Sequence, residues 1–388
     1  MTRLASSVLG KLSVERFLRT YWQKEPRVVR GAFPGFKDPL SPDELAGLAC
    51  ERDVDSRLVI ARGGRKPWQV IRGPQQPRAL RKLPRSHWTL LVESVDRHSP
   101  RIEALASAFS FLPNWRMDDV MVSLAPNRGT VGAHIDSYDV FLIQGQGRRK
   151  WEVDRQATAD YKPGLDLRIL KHFRPEDTWT LEPGDMLYVP PGVGHRGVTV
   201  PSDAEIALTY SIGFRAPSSA DLLSTLLSRT LARESPLLFS DPGRSAASDR
   251  GELSRADLAR LRQFLLADIE SQPPNAWALA AGEAVTSGGR GRAGGRRVDM
   301  KSVARRLMGG TGVSPAPQAR TTWAHLDGGR AALFVNGESR VLPPAQAFAA
   351  SLLCGHASGS AARRLAAKAG LVSLVADLLR AGVVDWVD

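Results

Sequence analysis

The chain has 388 residues, with 53 Lys and Arg against 40 Asp and Glu, a formal net charge of +13. Its 43% hydrophobic and 24% charged residues suit a globular protein of two to three domains and exclude a disordered or collagen-like chain. No apolar run approaches the ~18 residues of a membrane span, the first residues lack a secretory signal's apolar stretch, and Cys50 and Cys354 are too few for a disulfide framework.

The expected location is therefore a reducing cytoplasm, with no membrane partner. The basic balance favours acidic partners such as nucleic acid or a ribonucleoprotein. Residues 13–60 read as a folded N-terminal region. Ser41 can cap a helix, Pro42 fits its first position and Glu44 completes a capping box. Leu45, Leu48 and Ala49 follow at helical spacing.

Residues 115–215 change texture. Short β-rich runs recur at 120–124, 140–143 and 186–189, punctuated by Pro126, Gly129, Gly145, Gly147, Gly184, Pro190 and Gly192. Many short strands with turn signals point to a sandwich or barrel. From Ser218 the period becomes helical, with Leu222, Leu223, Leu226 and Leu227 on one face. A second helix begins at Ser254, carrying Leu258, Leu261, Leu265 and Ile269. Such faces cover a core or form a subunit contact. Residues 286–297 are rich in Gly and Arg, and Pro315 and Pro317 mark another break, so 286–320 reads as a basic linker. The tail from 321 predicts a hairpin turning at Asn336-Gly337, helices near 343–354, 361–368 and 371–380, and a last strand near 383–386, the pattern of a small winged-helix-like domain.

Three separated residues carry the chemistry. On a strand His134 and Asp136 point to one face and can share an ion. His195 ends a Gly184-to-His195 segment whose glycines and prolines can turn a histidine back into a barrel. Two imidazoles and a carboxylate make the facial triad of non-haem Fe(II) oxygenases. The same set also serves zinc or a cupin without oxygen chemistry, and a lone His-x-Asp is often a surface pair. Arg149, the middle of three basic residues on a predicted strand, faces opposite to Arg148 and Lys150. Its guanidinium fork suits a carboxylate such as the distal one of 2-oxoglutarate, although all three also fit a solvated hairpin. Ser123 can add a hydroxyl to the same carboxylate.

Beyond the triad, residues 21–26 (YWQKEP), 38–49 (DPLSPDELAGLA), 54–58 (VDSRL), 115–119 (WRMDD) and 137–141 (SYDVF) carry a wider likeness. Residues 147–151 (GRRKW), 182–191 (EPGDMLYVPP) and 210–217 (YSIGFRAP) add to it. The chain resembles the bacterial JmjC-type ribosomal oxygenases of the cupin superfamily, strongly over residues 13–270 and by architecture beyond. The resemblance implies an α+β fold: a double-stranded β-helix (cupin/JmjC) core with an N-terminal helical extension over 1–217. A helical dimerisation region would follow over 218–285, then the basic linker 286–320 and a winged-helix-like domain over 321–388. It implies Fe(II) on His134, Asp136 and His195, 2-oxoglutarate held by Arg149 and Ser123, and dioxygen as co-reactant. The implied substrate is an arginine of large-subunit ribosomal protein sixteen, met by Asp119, Tyr138 and Ser211, with Asp118 as a competitor of Asp119. A homodimer and a contact of the linker with ribosomal RNA are also expected. Hydroxylation of another side chain such as histidine, protein demethylation, or a non-catalytic cupin with a nucleic-acid-binding tail are the competing readings.

Overall fold

The computed structural model describes residues 8–61, 68–201, 204–231, 237–246, 249–289 and 298–387. The chain divides into two compact units, one ending at Ala216 and the next beginning at Pro217.

The first unit holds helices α1 (Val14–Thr20), α2 (Pro42–Leu48), α3 (Pro77–Leu80) and α4 (Pro100–Ala106). Its strands are β1 (Arg27–Val29), β2 (Ser56–Ala61), β3 (Trp68–Arg72), β4 (Trp88–Val92), β5 (Met117–Pro126) and β6 (His134–Ile135). After these come β7 (Asp139–Gln144), β8 (Arg148–Asp154), β9 (Asp177–Leu181), β10 (Met186–Val189), β11 (Gly194–Val200) and β12 (Ile206–Phe214). The predicted capping box starts α2: Ser41 Oγ accepts from Glu44 N, and the Glu44 carboxylate accepts from Ser41 N.

One sheet runs β1-β10-β7-β12-β5-β4-β2-β3 and a second runs β6-β11-β8-β9, antiparallel throughout. From β5 onward the chain passes back and forth between the two, which winds the double-stranded β-helix. The side-chain alternation of a strand then makes two cores. Phe141 and Ile143 of β7 pack outward with Met186, Tyr188, Tyr210 and Phe214. Val140 and Leu142 of the same strand pack inward with Leu187, Val189, Trp151, Val153 and Leu181 of both sheets. The outer core is closed by α1, whose buried Phe17 ring lies 5.1 Å from Tyr188 and 5.8 Å from Phe141.

The second unit contains α5 (Ser219–Leu231), α6 (Arg255–Glu270), α7 (Pro274–Thr286), α8 (Met300–Gly309), α9 (Phe348–Leu353), α10 (Ser360–Ala366) and α11 (Ala369–Arg380). Its strands are β13 (Gly312–Pro315), β14 (Thr321–His325), β15 (Ala331–Val335), β16 (Glu338–Leu342) and β17 (Val384–Val387). The Asn336-Gly337 turn joins β15 to β16 with φ of 51° and 91°, the two positive values of the tight hairpin turn.

Part of the expected linker is ordered structure. Within 286–320, α8 buries Val303 and Leu307, four apart on one face, in the same cluster as Leu371, Val375 and Leu378 of α11. Asp299 caps it, and β13 pairs with β17. Lys301 and Arg305 on the exposed side of α8, with Arg306 beside them, hid this two-residue apolar stripe. The Gly/Arg run 290–297, and with it the expected contact with ribosomal RNA, lies outside the described residues. No described helix is long and apolar enough to cross a membrane.

Candidate active site

β6 and β11 are neighbours, and their register sets His134 directly opposite His195. The two rings lie 4.3 Å apart between centroids. Asp136 leaves β6 two residues on, so its carboxylate swings to the same side. Its Oδ2 is 3.5 Å from His195 Nε2 and 3.9 Å from His134 Nε2. One ligand atom from each of the three residues lies within 4.8 Å of the others. Each imidazole has its Nδ1 3.1 Å from a backbone carbonyl, that of Gly132 for His134 and that of Val193 for His195. A carbonyl only accepts, so Nδ1 carries a hydrogen in each ring, and both Nε2 atoms are turned toward Asp136. Burial, then the neighbouring His134, pushes His195 down to about 4, so its ring is neutral at physiological pH.

On β8, Arg149 turns inward while Arg148 and Lys150 stay in solvent, as strand alternation requires. Arg149 is 2% exposed. Its Nη2 donates to Gly197 O at 3.3 Å, while Nε and Nη1 are buried with no partner among the described residues. Its charge centre sits 5.1 Å from the Trp151 ring, which in turn lies 6.0 Å from His195. Burial pulls the guanidinium down to about 10, which leaves it charged at neutral pH. A buried cation with two idle donors is costly unless an anion meets it. A carboxylate-bearing molecule reaching from Arg149 to the three metal-ligand residues meets both demands. Ser123 lies on the inner face of β5, buried, beside Thr209 of β12 in the register.

The three residues expected to meet a target side chain occupy the same inner surface. Asp119 precedes Ser123 by four along β5, and its Oδ2 accepts from Ser94 N at 2.8 Å and Ser94 Oγ at 3.3 Å. Burial and the Asp118 charge raise its carboxyl above the ordinary range. Asp118 is engaged elsewhere, 3.5 Å from Arg215 Nε. Tyr138 is half-buried against the inner core, and burial with the charges of Asp136 and Asp119 raises its phenol. Ser211, 6% exposed, stands on β12 opposite Met121 and Leu142. It is two residues from Gly213, over which Asp119 Oδ1 lies: a Cβ at Gly213 would be 3.7 Å from it.

One further residue belongs to this site. Gly197 follows His195 by two on the inner face of β11, and a Cβ there would lie 2.4 Å from Arg149 Nε and 2.8 Å from the Trp151 ring. A glycine inside a strand signals a close approach. That signal was present in the run Gly194-His195-Arg196-Gly197, but the partner it admits lies 48 residues away across the sheet.

Residues 104–222 match the JmjC domain family. The chain is 40% identical over 259 residues to the ribosomal protein uL16 3-hydroxylase of Escherichia coli (strain K12), spanning 66% of this chain and 67% of that protein. It is 35% identical over 269 residues to a probable ribosomal oxygenase of Haemophilus influenzae, spanning 66% and 64%. The solved structure of the E. coli ribosomal oxygenase YcfD with cobalt and 2-oxoglutarate superposes at a TM-score of 0.82 with 31% identity, over 97% of this chain and 99% of that one. The same protein with cobalt and succinic acid superposes at 0.81, with the same identity and coverage. From the three converging ligand residues, the buried unpaired arginine and these likenesses together, this chain belongs to the JmjC ribosomal oxygenases.

Proposed function

We propose that the chain is a 2-oxoglutarate-dependent oxygenase that hydroxylates an arginine side chain of ribosomal protein uL16, the large-subunit protein sixteen. The observation that carries this reading is Arg149, a buried guanidinium with two free donors facing the same interior as three metal-ligand side chains. The likeness to the E. coli hydroxylase and to its 2-oxoglutarate complex supports it.

His134, Asp136 and His195 would hold Fe(II), and Arg149 with Ser123 would hold the far carboxylate of 2-oxoglutarate. When bound, the iron and cosubstrate activate dioxygen: one oxygen atom enters succinate as carbon dioxide leaves, and the other enters a C–H bond as a hydroxyl. The protein positions and excludes. Arg149 and the Trp151 face under it fix the cosubstrate's orientation, and the apolar inner core keeps water from the reacting atoms. Asp119, fixed by Ser94, offers its free Oδ1 to a guanidinium, while Tyr138 and Ser211 orient it. A guanidinium fork matches a carboxylate better than an ammonium does, which favours arginine over lysine.

Two assembly features belong to the same reading. α5 exposes Leu223, Leu227 and Leu231, and α6 exposes Leu258, Leu261 and Leu265. A second copy of the chain would cover these faces, as expected of a dimerisation region. The β14–β16 sheet with α9 to α11 is read as the winged-helix-like domain.

The test is mass spectrometry of a peptide from the organism's uL16, incubated with enzyme, Fe(II), 2-oxoglutarate and air. One added oxygen on arginine, absent with Asp136→Ala, is the expected result. Oxygen on histidine, or loss of a methyl group, would replace the substrate assignment. No succinate from folded, iron-loaded protein would end the oxygenase reading.

A further inference from the structure

Between Asp55 and Glu93 the sequence has nine Lys and Arg residues and no Asp or Glu. Three of the nine, at 62, 65 and 66, lie outside the described residues, and Arg57 is paired with Glu93. The other five, Arg72, Arg78, Arg81, Lys82 and Arg85, are exposed. They belong to β3, α3 and the connection to β4, and this connection runs the length of the sheet. At one end Gly73 N donates to Ser56 O at 2.7 Å, and at the other His87 N donates to Asn127 O at 3.1 Å. The second contact brings in a sixth cation, exposed Arg128, held in the left-handed region at φ 60°. Among the described residues none of the six makes an ion pair or a side-chain hydrogen bond. A tract of this charge ordinarily draws carboxylates onto itself, and here the sequence supplies none within reach along the chain.

We infer that this band binds the phosphate backbone of RNA. Five of its six cations are arginines, whose planar forks match phosphate oxygens. Among its described residues Ile71 is the single large apolar side chain that is substantially exposed. A membrane-binding face needs apolar residues to insert, and a protein interface needs an apolar centre. Rows of unpaired cations with neither are the footprint of a polyanion. The band begins in register with the site: Arg72 pairs with Arg57, Arg57 with Leu91 and Leu91 with Ser123 across adjacent strands. RNA lying along it would run toward that site, so a substrate protein already seated on RNA would be presented there. The RNA contact itself stands apart from the proposed reaction; its use in substrate delivery rests on that reading.

The experiment is fluorescence anisotropy of a labelled RNA hairpin of arbitrary sequence with full-length enzyme, across a potassium chloride series. The variant Arg78→Gln/Arg81→Gln/Lys82→Gln/Arg85→Gln is expected to bind at least about tenfold more weakly at 0.1 M salt, with a log–log salt slope shallower by about 3. Its hydroxylation of a free uL16 peptide should be unchanged, which also shows that it is folded. Wild-type affinity in this variant would overturn the inference. So would equal loss in an Arg363→Gln/Arg364→Gln/Lys368→Gln control, which would move binding to the second unit. Preferential binding of phosphatidylserine vesicles over RNA, lost in the same variant, would overturn the assignment to RNA. Intact RNA binding by an enzyme inactive on the peptide would leave the band standing and remove only the reaction.

Discussion

At Gly197 a missing side chain is the functional feature. The 2.4 Å separation between a would-be Cβ and Arg149 Nε leaves a larger residue no room unless the guanidinium moves. Gly197→Ala is therefore expected to raise KM for 2-oxoglutarate about tenfold or more, the order of losing one charge-assisted hydrogen bond. Metal affinity should fall less than cosubstrate affinity, since two of the three ligand side chains, His134 and Asp136, lie outside β11. Equal loss of metal and cosubstrate affinity would show general damage to β11 instead. Asp96 supports the site at a distance. Its Oδ1 accepts from Val120 N at 2.8 Å, and burial, aided by the Asp119 charge, raises its carboxyl to about 6. An unfolded aspartate titrates near 4. Between those values the folded chain binds the proton more tightly, so this group's contribution declines as pH rises from about 4 to 6 and is lowest above. Asp96→Asn keeps an acceptor for Val120 N without the charge. It should be more stable than the parent at pH 7.5 by on the order of 1–3 kcal/mol, with the gap closing toward pH 4 in urea denaturation. Equal stability at both pH values would refute this.

Among the elements, those with a full apolar period or a strong cap were readable before any tertiary information. Ser41 and Glu44 announced α2, Ser254 announced α6, and Asn336-Gly337 announced the β15–β16 hairpin. α7 was not readable: its buried residues are Ala280, Gly282, Ala284 and Thr286, too small to mark a stripe. Their smallness is explained across the interface, where Gly282 admits the Phe334 ring of β15 to 2.4 Å from a would-be Cβ. The leucines of α5 and α6 were readable as a face but not as a covered one. Leu258 is 51% and Leu265 52% exposed, in a helix that also exposes Leu261 and Leu266. Adjacent apolar groups of this kind mark an interaction surface. Leu258→Glu/Leu265→Glu should convert a dimer to monomer in light scattering. An unchanged mass, or a parent chain that is already monomeric, would refute the homodimer.

For the whole molecule, the triad types were legible because metal chemistry restricts the ligands to a few side chains, and strand alternation put His134 and Asp136 on one side. Strand alternation likewise separated Arg149 from its two solvated neighbours. What lies close in sequence, or follows from a backbone period, can be read from the chain itself. Distance across sheets cannot. The opposition of His134 and His195, the engagement of Asp118 by Arg215 and of Asp119 by Ser94, and the fit of Gly197 under Arg149 all depend on pairings between segments tens of residues apart. So does the basic band, whose composition stands in the sequence while its sixth member, Arg128, is brought in only because His87 N donates to the carbonyl of the preceding Asn127. The sequence by itself determined the fold class, the ligand types and the charge, because these follow from residue chemistry and local period. The tertiary structure alone decided which donors remain unpaired and which faces remain open, because burial and partner choice arise only when the two sheets close on each other.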